Sequence, residues 1–105
     1  MSSKLSNVRM AAITETAPQI SETLKLISHP TRLIVMYAIL DKARTVNELV
    51  ALSGLSQSAL SQHLAKFRGA GLVTTERKGQ EILYQLNNAK VEAILGLLET
   101  LYCRL

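Results

Sequence analysis

The stretch from Gly54 to Leu64, Gly-Leu-Ser-Gln-Ser-Ala-Leu-Ser-Gln-His-Leu, most constrains the fold, because it reads as a tight turn running into a helix with two chemically distinct faces. Leu60, Leu64 and Phe67 recur at helical spacing and would face a core. Gln57, Ser58, Ser61 and Gln62 fall within an arc of roughly 140° on the exposed side, at about 100° per residue. Short amides and hydroxyls suit base edges in a major groove: Gln can bond adenine through two hydrogen bonds, and Ser can bond either kind of base. A merely solvated face would more often carry Glu and Lys. This helix is therefore the candidate for reading DNA, with the four uncharged residues as base contacts.

The flanking sequence supplies the rest of a helix-turn-helix. Thr45-Val46-Asn47-Glu48 fits a capping box, which predicts a short helix through Leu49, Val50 and Leu52 that Gly54 terminates in a left-handed conformation. Ser56 then caps the reading helix after about three residues of turn, and Gly69 and Gly71 mark its end. Upstream, Ile13, Ala17, Ile20, Leu24 and Ile27 predict a first helix with a kink or restart near residues 16 to 18, at Pro18. Pro30 opens a second helix, with Leu33, Met36, Tyr37 and Leu40 inward and an end near Asp41 to Ala43. Residues 1 to 8 are expected to be a flexible start and 9 to 105 one domain.

Downstream, residues 72 to 77 and 81 to 86 are rich in β-branched and apolar residues and flank Lys78-Gly79-Gln80, which predicts a two-stranded wing. Asn87 or Asn88 caps a last helix whose stripe comprises Val91, Ile94, Leu95, Leu98, Leu101, Tyr102 and Leu105. The fold expected is mainly α with a β-hairpin, in the order α-α-α-α-β-β-α. The apolar content of 48% in 105 residues is high, so part of the apolar surface is expected to be buried against a second copy. Ile13, Ile20 and Leu24 on the first helix and Val91, Leu98, Leu101 and Tyr102 on the last are the candidate dimer interface. The net charge of +4, doubled in a dimer, suits a polyanionic partner. Ser56, Lys66, Arg68, Arg77 and Lys78 are candidates for the DNA backbone contacts that fix register without reading sequence.

The element order, the stretch Ser28-His29-Pro30-Thr31-Arg32-Leu33, the run from Leu55 to Leu64 and Gly71-Leu72-Val73 resemble the ArsR/SmtB family of winged-helix repressors over residues 18 to 103. The run from Leu55 and the ending Leu101-Tyr102-Cys103 look most like its HlyU/BigR/NolR-like branch. The resemblance implies a transcriptional regulator, a repressor that binds an inverted-repeat operator on double-stranded DNA as a homodimer. It also implies a dimer built from the first and last helices, with Gln57, Ser58, Ser61 and Gln62 at the reading positions. His63, toward the Leu60 and Phe67 side, is read as a packing or capping residue instead.

Metal-sensing relatives of that kind place Cys or His on the third helix, or Asp and His along the last, and neither pattern is present; no metal or cofactor is expected. Redox-sensing relatives use two cysteines. Cys103 matches one, Tyr37 stands at the other, and Cys103 is expected to be a small buried hydrophobe. The alternatives left open are a single-cysteine redox- or persulfide-responsive repressor and a winged-helix protein-interaction module, which would bind without steep salt dependence. Two histidines and one cysteine in separate elements do not assemble a nucleophile, a base and an orienting residue, so an enzyme is not expected. No apolar run is long enough for a membrane span, no secretory signal opens the chain, and the protein is expected in the cytoplasm.

Overall fold

Local capping chemistry sets most element boundaries in the computed structural model, which describes residues 6–103. Helix α1 (Asn7–Ile27) starts where the Ser6 hydroxyl accepts the Arg9 N–H. It thus begins inside the segment expected to be loose; residues 1 to 5 lie outside the described residues. Pro18 does not restart it. Proline removes the N–H that would bond the Thr14 carbonyl, but the surroundings of this turn are exposed to solvent, where water can satisfy the carbonyl, and the helix continues.

Helix α2 (Pro30–Ala38) is capped by His29, whose Nδ1 accepts the Thr31 N–H at 3.1 Å. It ends earlier than the expected Asp41 to Ala43. The N–H groups of Ile39 and Leu40 reach back only three residues, to Met36 and Tyr37, and the Arg44 Nε donates to the freed Ala38 carbonyl. Val35, Met36 and Ile39 form its buried side, while Leu33, Tyr37 and Leu40 are only half-buried, a rotation from the expected face.

Strand β1 (Arg44–Thr45) leads into helix α3 (Val46–Ser53), whose capping box is complete. The Thr45 hydroxyl accepts the Glu48 N–H at 3.2 Å and the Glu48 carboxylate accepts the Thr45 N–H at 3.0 Å. The Thr45 N–H bond to the carboxylate first, then the Thr45 side chain and the nearby Lys42 and Arg44, hold the Glu48 carboxyl below its ordinary pKa. Gly54 has φ +74°, a left-handed cap that an L side chain would strain. After it, the Ser56 hydroxyl accepts the Ala59 N–H and starts helix α4 (Gln57–Gly69).

Strands β2 (Val73–Lys78) and β3 (Glu81–Leu86) form the wing, with Lys78 paired to Glu81 beside a Gly79-Gln80 tip and Gly79 at φ +64°. β1 adds to the far edge of β3, giving an antiparallel sheet in the order β1-β3-β2. This third strand is an addition to the predicted hairpin. Helix α5 (Ala89–Tyr102) is capped by Asn88, whose Oδ1 accepts the Val91 N–H.

The core gathers Ile27, Met36, Ile39, Leu49, Leu60, Leu64, Phe67, Val73, Leu86, Val91 and Leu95 among its members, so every helix contributes to it. The Cα radius of gyration is 16.4 Å, against about 13 Å for a compact domain of this length. Helix α1 lies largely outside the core: Ile27 is its one buried residue among those described. No helix among the described residues is long and apolar enough to cross a membrane.

Candidate nucleic-acid interface

Helix α4 turns Leu60, Leu64 and Phe67 fully inward and leaves Gln57, Ser58, Ser61 and Gln62 exposed, so the four candidate reading residues share one open surface. Gln57 borders a hollow with Asn47 at the start of α3 and Gln80 and Glu81 at the wing. The Ser56 hydroxyl lone pair is engaged by Ala59 N–H, but its own proton remains available to a phosphate oxygen. Lys66 and Arg68 in the last turn of α4, and Arg77 and Lys78 at the wing, are likewise exposed. The interface is therefore uncharged in the middle and basic at the margins. Arg32 belongs to the scaffold instead, donating to the Lys25 and Leu26 carbonyls at the end of α1.

His63 lies on the flank of α4 away from the candidate reading residues and stacks on Phe67, with ring centroids 6.4 Å apart and planes 24° from parallel. Burial chiefly, and then the positive charges of Arg32, His29 and Lys66, hold its pKa below the ordinary 6.5. The fold thus favours neutral His63. The unfolded chain binds the proton more readily, so stability is fully present above about pH 6.5 and falls as pH drops through the lowered folded value. The melting temperature of the wild type should decline from pH 7 to pH 5 more than that of His63→Gln; equal declines would remove His63 as the cause.

The dimer candidates divide. Ile20 and Leu24 are 50% and 45% exposed, Leu101 and Tyr102 67% and 82%, and Ile13 also lies open. An apolar groove of 410 Å³ runs along α1 past Ile13, Ala17, Ile20 and Leu24. Val91 is a correction: it is completely buried in the chain's own core and has no surface to offer a partner. Leu98 is half-buried, and Leu105 lies outside the described residues.

Cys103 follows the end of α5 and is exposed, contrary to the expected burial. The stripe of α5 turns toward the core at Val91 and Leu95 and has left it by Leu101. Tyr37, at the place of a second cysteine, donates its hydroxyl to the Leu95 carbonyl at 2.7 Å. Burial first, then the negative charges of Glu99 and Cys103, push the Tyr37 pKa up and keep it a donor. With one cysteine in the sequence, a disulfide within the chain is excluded. Among the described residues no cluster of His, Cys, Asp and Glu is placed to hold a metal ion.

Residues 29–75, which span α2 to the start of the wing, match the model of the arsR family of bacterial regulatory proteins. The chain is 40% identical over 95 residues to the HTH-type transcriptional regulator YgaV of Escherichia coli, an alignment covering 90% of this chain and 96% of that one. It is 43% identical over 81 residues to the transcriptional activator HlyU of Vibrio cholerae, covering 77% and 75%. The crystal structure of the transcriptional repressor BigR from Xylella fastidiosa superposes with a TM-score of 0.85 at 31% identity, covering 91% of this chain and 98% of that one. Fold, surface and likeness agree: the chain belongs to the arsR family, in its HlyU/BigR/NolR-like branch, and is a DNA-binding transcriptional regulator rather than an enzyme.

Proposed function

We propose that two copies of the chain join through α1 and α5 and bind an inverted repeat in double-stranded DNA, each placing α4 in a major groove. The observation that carries this reading is the pairing of an exposed, uncharged α4 face with an unpartnered apolar stripe on α1. Two-fold symmetry sets the recognition helices about one DNA turn, or 34 Å, apart, which makes the half-sites palindromic. The protein acts in the cytoplasm by occupying its operator, and represses where that operator overlaps a promoter. Gln57, Ser58, Ser61 and Gln62 read bases. Ser56, Lys66, Arg68, Arg77 and Lys78 hold phosphates.

Selection of bound duplexes from a random pool tests the reading directly, and an inverted repeat should emerge. The two residue sets should then fail differently. Gln62→Ala should change discrimination by about 1 to 3 kcal/mol at one base pair per half-site, whereas Lys78→Ala should weaken specific and random duplexes alike and flatten the salt dependence. Equal losses on both kinds of DNA for Gln62→Ala would move it out of the reading set. An affinity indifferent to salt would instead favour a protein-binding surface.

A further inference from the structure

Helix α4 has shoulders as well as a crest. At about 100° per residue, Ser58, Gln62 and Ala65 lie opposite the buried Leu60, Leu64 and Phe67, while Ser61 and Arg68 run along the shoulder nearest the sheet. Between that shoulder and β3 is a notch of 340 Å³ lined by Ser61, Leu64, Ala65, Arg68, Gly69 and Tyr84. Its polar side chains are a serine hydroxyl, a guanidinium and a phenol, all hydrogen-bond donors, and no carboxylate lines it. Tyr84 reaches the notch from the central strand, where it pairs with Thr75 on one side and Arg44 on the other, and it shares a strand face with the buried Leu86. The ring is half-buried. Unlike the Tyr37 hydroxyl, which the Leu95 carbonyl engages, the Tyr84 hydroxyl makes no hydrogen bond among the described residues.

We infer that this notch seats one phosphate of the DNA backbone and that Tyr84, with Arg68 and Ser61, is a contact to it. The inference rests on the reading of α4 as the recognition helix. A helix about 10 to 12 Å across nearly fills a major groove about 12 Å wide. With the crest against base edges, each shoulder must therefore lie against a bordering phosphate strand. The phosphodiester is a monoanion that only accepts hydrogen bonds, which matches a notch offering one positive charge and two hydroxyl protons. Ser61 sits where crest and shoulder meet and can serve the phosphate while facing the groove.

Tyr84→Phe removes one oxygen and keeps the ring, so the melting temperature should not change. Measured at fixed salt with the full chain, affinity should fall about three- to tenfold on the selected operator and on a random duplex alike. The salt slope should stay constant, because no charge is lost, whereas Arg68→Gln should lower it. A scan of single neutral methylphosphonates across each half-site should find one position that weakens the wild type more than it weakens Tyr84→Phe, the remaining loss belonging to Arg68 and Ser61. Wild-type affinity for Tyr84→Phe, or a methylphosphonate profile identical to that of the wild type, would overturn the assignment. A loss confined to the operator would overturn it too, by making Tyr84 a base contact. Failure of the wild type to bind any duplex would instead remove the reading of α4 on which the notch depends.

Discussion

Leu24→Glu should leave a single chain folded, make it monomeric at micromolar concentration and lower operator affinity by about 100-fold or more. Leu24 is 45% exposed on its own chain, so a carboxylate there reaches water in the monomer. Across a dimer interface the same charge would be buried without a partner, at a cost of several kcal/mol. Loss of the dimer removes bivalency, which supplies 10²- to 10⁴-fold in affinity when two sites are spanned together. Leu24 is a better probe than Leu98, because Leu98 is half-buried within its own chain and a charge there would perturb both the interface and the monomer. Sedimentation and duplex titration together check the result. A Leu24→Glu dimer with operator affinity near that of the wild type would show that α1 does not form the interface.

The parts of the molecule legible in the sequence are those whose chemistry is local. Thr45 with Glu48, Gly54, Ser56 and Asn88 each cap a helix through bonds within three or four residues, and those boundaries stand where the residues mark them. The face of α2 was not legible. From Leu33 to Leu40 every residue is apolar, so the period carries no phase, and only packing against α1 and α3 selects Val35, Met36 and Ile39. Strand β1 is two residues long and becomes a strand only by pairing with Leu83 and Tyr84, nearly forty residues later. Val91 misled for a related reason: one broad stripe on α5 serves two purposes, its start filling the core and its end remaining open.

The exposed, uncharged face of α4 was recoverable because spacing and chemistry agree over a single helix. The flank chemistry was not. Tyr84 alternates with Leu86 as any inward strand residue would, and nothing in the local pattern separates a tyrosine at the edge of a core from one that lines an open notch. That distinction depends on where α4 crosses β3, a relation between segments about twenty residues apart in the chain. Cys103 illustrates the reverse case: its apolar neighbours predict burial, yet α5 carries it past the end of the core.

Phe67→Ala should be the most destabilising single substitution on α4, costing about 3 to 5 kcal/mol. The ring is fully buried, stacks on His63 and lies in the cluster with Leu60 and Leu64, while the Phe67 carbonyl accepts the Leu72 N–H at 2.9 Å where the wing begins. Removing it opens a cavity between α4 and the sheet that a rigid helix cannot close. Against a total stability of about 5 to 15 kcal/mol, the melting temperature should fall by about 12 °C or more. Phe67→Leu keeps an apolar branch in most of the space and should lose roughly half as much. Phe67 faces away from Ser58 and Gln62, so base preference measured well below either melting temperature should match the wild type even where affinity is reduced. Calorimetry with duplex selection at low temperature separates the two effects. A shift under about 4 °C would mean that the site collapses around the smaller side chain, and an altered base preference would mean that the ring orients the reading face as well as supporting it.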